Sequence, residues 1–443
     1  METNRSQAAR PRWIAPLLLV VSLAVGWPLL LPWTYDTHDG HYALYNAAQF
    51  DRALRDGELP VRWLPDLFGG RGLPVFLYYH PLAFYGVSLV HATGLGFIAS
   101  MKLLVLATLP LSGWTMLRWL EEHLPSDAAA VGAAAYVAAP IHVVELHVKG
   151  DPPAALAYVF APLVLLGIRR AAAGAPRGVA TLALAGAGLA LAHSVTALIM
   201  VPAAALYALA VLPRPRGPAV WRLLFGGSLA VAVAAFHVVP ALVERPLVAI
   251  DTARGILAFD FREHFVAWWQ WLSPLWGYHG SFPGAHDDMS FQIGPAHVAA
   301  IALVALGWRR ARGASRPLAW WGLAAAALSL AMTLTASRPL WNAIRPLVYV
   351  QFPWRFLMPA ALASSALAAL AVAALPSRGV LAATAAAPPL ITASFAIASG
   401  NVAYAAIAGF QAMAGGAALM TKRRAPALGL LFAALAVPWS AVP

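Results

Sequence analysis

The chain has 443 residues, 61% hydrophobic and 11% charged, with a mean hydropathy of +0.69; soluble domains carry about 25% charged residues, so lipid has to solvate most of this one. Its formal charge of +12 would suit a nucleic-acid binder only if the cations shared one face. They fall instead in short loops between apolar runs, where they set topology, and no nucleic-acid partner is expected. With no cysteine, disulfides, thiolate metal sites and cysteine nucleophiles are excluded.

Apolar runs of about 17–25 residues, each able to cross a hydrocarbon core about 30 Å thick, recur from end to end. Arg5, Arg10 and Arg12 precede Ile14 to Leu31, which ends in Pro32-Trp33 without a small-x-small cleavage pattern and reads as an uncleaved first span. Further spans are expected near 100–120, 128–146, 152–170, 178–193, 195–212, 221–243, 291–308, 317–335, 355–375, 380–398, 402–420 and 426–442. The expected fold is an all-α polytopic membrane protein of about 13 transmembrane helices. Counting residues 80–98 as a crossing would place Arg169-Arg170 and the later basic loops outside, so that segment reads as re-entrant or interfacial. With that choice the loops holding Arg169, Arg170 and Arg177, then Arg214, Arg216 and Arg222, then Arg309 to Arg316, then Lys422 to Arg424 share the N-terminus's side. That side is cytoplasmic by the positive-inside rule.

The opposite face collects most of the acidic residues, Glu145 among them, and two long outer loops, 34–99 and 244–290. In the first, the charges from Asp51 to Glu58 and the Phe50/Leu54 spacing suggest a short amphipathic helix in the interface. In the second, Trp268, Trp269, Trp271 and Trp276 suit the headgroup layer. Gly69-Gly70-Arg71-Gly72 lacks the strand and helix of a phosphate loop and reads as a sharp chain reversal. After Pro376 the apolar runs hold almost no polar residues, so 376–443 reads as helical scaffold beside a catalytic module over 1–375.

The densest polar cluster follows the first span: Asp36, His38, Asp39 and His41. Two carboxylates and two imidazoles there offer a general base, a divalent metal site at Asp36 and Asp39, or only a solvated loop. Arg355, beside Trp354 at the outer end of a span, is either a cation with a function or an arginine snorkelling to the interface. Lys149 carries the same two readings. His193, inside a long apolar stretch, reaches the outer side only if the chain turns there. Asp151 before Pro152-Pro153 fits a helix cap as well as a site.

Several strings resemble a family of bacterial membrane proteins labelled "pyruvoyl-tetrahydropterin synthase related", within the C-type superfamily of polyprenyl-phosphate-dependent glycosyltransferases (GT-C). They are His38-Asp39-Gly40, Gly57-Glu58-Leu59-Pro60-Val61-Arg62-Trp63, Gly70-Arg71-Gly72-Leu73-Pro74-Val75-Phe76 with Tyr79-His80-Pro81-Leu82, Tyr136 with Ala139-Pro140, Lys149-Gly150, Ala192-His193-Ser194, Leu272 to Gly277, Asp288 to Gly294, and Gln351-Phe352-Pro353-Trp354-Arg355-Phe356. The likeness runs to about residue 375. It departs at Lys149, where the family pattern has Arg, at His80, where it has Pro, and at Ser194, where it has Asn. A lysine still offers charge to a phosphate but not the bidentate fork.

The resemblance implies an inverting transfer of sugar from a polyprenyl-phosphate carrier to a glycan, lipid or protein acceptor at the outer face of the cell (inner) membrane. Asp39 would be the base; His38, His41, Arg62, Tyr79, His80, Lys149, His193, Trp354 and Arg355 would bind substrate. Two rivals stand beside it: a transporter or flippase of a lipid-linked glycan, and a non-catalytic subunit of envelope assembly. Transporters place ionisable groups at the midplane on broken helices, whereas here they crowd the outer face.

Overall fold

The computed structural model describes residues 10–32, 34, 36–248, 259–273, 276–284, 287–307 and 315–374. The spans expected at 380–398, 402–420 and 426–442 lie outside the described residues, as do Trp33, Tyr35, Pro274, Leu275 and the loop at Arg309. The described part is helical, with two isolated antiparallel bridges and no strand. In order, α1 (Ile14–Gly26) runs on as a 3-10 turn, and α2 (Gly40–Arg55) and α3 (Leu82–His91) belong to the first long loop. Next come α4 (Phe97–Leu120), α5 (Ser126–Val137) and α6 (Pro140–Val144), which continues into a π turn at Glu145–Lys149. The rest are α7 (Pro152–Ala173), α8 (Gly178–Ala192), α9 (Ser194–Val211), α10 (Gly217–Val243), α11 (Pro295–Gly307), α12 (Ser315–Thr333), α13 (Arg338–Ala343) and α14 (Leu357–Ala373).

Among the described residues, five helices are long and apolar enough to cross a membrane, and up to seven if each sharply bent pair is one span. Every described run expected to span is helical, but α1, α8 and α11 are shorter than a crossing needs. At α8 the reason is local: His193, with φ −160° and ψ 97°, leaves the helix and starts α9 at once, so the chain does turn there. The α5–α6 break comes from Pro140, whose ring forces Ala139 into extended backbone (ψ 134°), and the two pieces meet at 41°. Helix α3, at 10 residues, spans only about 15 Å, too little for a crossing.

Of the five long apolar helices, α7 and α14 are the most enclosed and α10 the most peripheral. α7 packs on α4, α8, α9 and α10. Small residues set the closest approaches: a Cβ at Gly167 would lie 2.5 Å from the Leu182 Cα, and one at Gly132 would lie 2.8 Å from the Ser365 carbonyl oxygen. The two ends of the bundle differ in chemistry. At one end Arg10 grips Glu121 through two bonds of 2.8 and 2.6 Å, Arg170 donates to Glu122 (2.8 Å), and Arg222 donates to the last carbonyls of α7 at Ala171 (2.7 Å) and Ala172 (3.0 Å). At the other end of α7, about 33 Å away, lie the first loop, the π turn and Arg355.

The first loop is a folded cap with its own small core. α2 begins eleven residues before the amphipathic stretch expected at Asp51–Glu58 and stops at Arg55, where Gly57 turns away with φ +92°. Its apolar face buries Ala43, Ala47 and Phe50, and the Phe50 ring meets Phe76 and Tyr85 edge-on at 4.6 and 4.7 Å. Leu64 and Leu73 pair antiparallel across the glycine run, which is the reversal expected there. Gly72 has φ +77°, and a Cβ would strike the Trp63 indole at 2.3 Å.

Candidate active site

The polar end gathers residues from five stretches of sequence. The anchor is the π turn, which closes on Gly150 in the left-handed region (φ +64°). Its carbonyls receive the first loop: the His38 amide donates to Val148 (3.0 Å) and the Asp39 amide to Lys149 (2.7 Å). Asp39 stands at the N-cap of α2, where a carboxylate normally accepts from the first turn, yet it makes no such bond. Instead, the Thr37 hydroxyl accepts from the Gly40 amide at 3.1 Å. The Asp39 main chain is thereby held on both sides, its amide by Lys149 and its carbonyl by Ala43, while its carboxylate has no hydrogen-bond partner among the described residues.

Its electrostatic surroundings are Lys149, Asp151, Arg355 and His38. Burial raises the Asp39 carboxyl above the ordinary range against the pull of Lys149, and Asp151 raises it further. Lys149 is buried, its Nζ 2.6 Å from Glu145 Oε2 and 3.3 Å from Asp151 Oδ2. Its ammonium also lies over the Trp354 ring, 5.4 Å from the centroid. Asp151 does cap α7, accepting from the Ala154 amide at 3.2 Å, and joins the cluster as well. Burial pushes its carboxyl up, but Lys149 and His193 outweigh that and hold it well below the carboxylate range.

His193 caps α9: its Nδ1 accepts from the Thr196 amide at 3.0 Å, which puts the proton on Nε2, 3.8 Å from Asp151 Oδ2. His80 lies beside it, ring centroids 4.5 Å apart, with Tyr79 stacked on the other side at 4.9 Å. The His80 Nδ1 accepts from the Ser194 amide at 3.2 Å, with the Ser194 hydroxyl at the same distance. Two departures from the family pattern, His80 and Ser194, are therefore bonded to each other. Burial drops His80 to about 3, so it is neutral.

Arg355 enters from the 3-10 turn Pro353–Phe356. Its Nη1 donates to the Val350 carbonyl at 2.8 Å, and its guanidinium stacks on Phe352, 5.0 Å from the centroid. The Arg355 Nε and the indole N–H of Trp354, a residue only 3% exposed, are both buried without a partner among the described residues. Two adjacent unpaired donors, one on a cation, are costly unless an anion or acceptor comes to meet them.

Other candidates stay apart. His41 pairs with Asp36 at 3.4 Å, both largely in solvent (78% and 91% exposed). His38 turns to the second loop, its Nε2 3.0 Å from the Tyr278 carbonyl oxygen. Arg62 donates to the Phe236 carbonyl on α10 (3.1 Å), near His237. Among the described residues no group of three or more His, Asp or Glu side chains could hold an ion, and the carboxylates of Glu145 and Asp151 already hold an ammonium.

Glu145 was missed as a site residue; a charge four positions before Lys149 inside an apolar run was the available signal. A cavity of about 240 Å³ opens beside the cluster. It is walled by Leu29, Leu44, Met101 and Val105 together with His41 and Lys102, and reaches Gly150 and Asp151. No protein-family model matches the chain, and comparison with curated proteins finds no relative.

Proposed function

We propose that this chain is a glycosyltransferase of the GT-C type, related to the bacterial family whose motifs it resembles, moving a sugar from a polyprenyl-phosphate carrier to an acceptor at the outer face of the inner membrane. The observation that carries this reading is the meeting, in one largely buried cluster, of an Asp39 carboxylate that makes no hydrogen bond to the described residues with the Trp354 and Arg355 Nε donors left unpartnered among them. In the reaction, an acceptor hydroxyl attacks the anomeric carbon while Asp39 takes its proton. The bond from that carbon to the phosphate oxygen breaks, its electron pair leaves with the phosphate, and Arg355 stabilises the new charge. Attack opposite the leaving group inverts the anomeric centre. Trp354 donates to the phosphate, Tyr79, His80, His193 and Arg62 shape the site, and Lys149, its charge already met by Glu145 and Asp151, frames it beside Asp39. The apolar cavity beside Asp151 seats the first isoprene units.

In this reading the N-terminus and the end rich in arginine are cytoplasmic, and about 13 helices cross the membrane once the C-terminal runs are counted. A second reading, a carrier of lipid-linked glycan, draws on the broken α5–α6 unit with its buried ion pair, since transporters use broken helices at their binding sites. Transfer of radiolabelled sugar from polyprenyl-phosphate donors by purified protein in lipid separates the two. Turnover that vanishes in Asp39→Asn and Arg355→Ala supports the transferase. Donor binding without turnover, indifferent to Asp39→Asn, supports the carrier or a silent assembly subunit.

A further inference from the structure

Glu145 takes no part in the reaction drawn above, yet it is only 5% exposed in an apolar bundle, where a carboxylate persists only with a partner. We infer that Glu145 is a positioning residue for Asp39, acting through Lys149; the inference rests on reading Asp39 as the base. The geometry is a chain of two contacts through one residue. Glu145 holds the Lys149 ammonium at 2.6 Å, and the carbonyl of that same Lys149 receives the Asp39 amide at 2.7 Å. Lys149 is therefore held at two points, its ammonium by Glu145 and its carbonyl by the Asp39 amide, and loss of the first frees the residue that carries the second.

Asp151 is a poorer clamp. It lies 3.3 Å from the ammonium and is committed to the Ala154 amide and to His193. Glu145 has Lys149 as its one side-chain hydrogen-bond partner among the described residues. The π turn ends at Lys149, so the carbonyls of Val148 and Lys149 are among the last of the segment, without intrahelical partners, and they accept from the first loop instead. Glu145 to Lys149 spans that turn.

The test is peptide-level hydrogen exchange on the full-length protein in lipid, with Glu145→Gln, Lys149→Met and the double variant, alongside donor turnover. Glu145→Gln is expected to speed exchange at the His38 and Asp39 amides about 10- to 100-fold, the loss of a charge-assisted hydrogen bond, while amides around Trp119 in α4 keep wild-type protection. Turnover should fall in kcat with the donor KM little changed. The double variant should exchange no faster than Lys149→Met alone, because Glu145 acts only through that residue. Unchanged exchange at His38 and Asp39 in a folded Glu145→Gln protein overturns the inference, as does a double variant whose effect is the product of the two single effects. A wild-type protein that shows the protection but no transfer sinks the transferase reading and leaves the clamp standing on the exchange data.

Discussion

Replacing Gly150 by alanine tests how the site is built. Gly150 has φ +64°, and its added Cβ would lie 2.3 Å from Thr37 Oγ1, 2.8 Å from Thr37 Cβ and 3.2 Å from Thr37 Cγ2. The left-handed backbone costs a non-glycine residue about 1–2 kcal/mol. The clash adds more, because Thr37 has to move and its hydroxyl then leaves the Gly40 amide, a cap worth about 1 kcal/mol. Together these give about 3 kcal/mol, charged to the junction that holds Asp39 and not to the bundle core. Gly150→Ala should therefore insert and purify normally, speed exchange of the His38 and Asp39 amides about a hundredfold, and lose turnover by a similar factor. Adding Thr37→Ala removes the closest contact but keeps the strain and loses the cap, so it should restore only part of the protection. A Gly150→Ala protein with wild-type protection at Asp39 and wild-type turnover would refute the claim that this junction positions the carboxylate.

Asp39→Asn should abolish transfer while leaving donor binding within about threefold, because the amide keeps the shape and loses only the base; donor binding in vesicles checks the second half. Arg355→Lys should cost about 10²-fold in turnover, since a lysine supplies charge without the Nε donor or the stacking plane over Phe352. Burial holds the Asp39 carboxyl above the usual range, and a base works only when ionised. Turnover should thus fall as pH drops through that raised value, and Lys149→Met, by removing a cation that favours the carboxylate, should move the inflection to higher pH. At the opposite end, Arg10→Ala removes the two-bond grip on Glu121 and should lower thermal stability by about 1–3 kcal/mol with turnover per folded molecule unchanged.

What could be read in advance differed by residue. Asp39, Arg355 and His193 stand out in the sequence because charged or titratable groups at the ends of apolar runs need a reason, and the structure brings all three to one place. Lys149 reads from sequence as a cation for substrate or interface; the i,i+4 spacing of Glu145 signals one partner, but nothing in the string shows that Asp151 also closes on it. Asp36, His38, Asp39 and His41 look like one cluster by adjacency. The turn into α2 scatters them: Asp36 and His41 pair toward solvent, His38 reaches the second loop, and Asp39 alone points to the ion cluster. The helical runs were legible from hydropathy, but the exit at His193 that shortens α8 depends on an N-cap made by an imidazole, an uncommon cap that propensity does not signal.

The contact between the first loop and the π turn also bears on synthesis. Asp39 emerges 110 positions before the Lys149 carbonyl that fixes it, and at about 5–20 residues per second that interval is on the order of ten seconds. Until then the His38 and Asp39 amides lack the acceptors that the folded chain gives them. The broken helix at Pro140 has to be threaded in before the loop can dock, so the cluster completes as a late event of insertion, and a chain cut anywhere before Val148 would carry its aspartate without the frame that aims it.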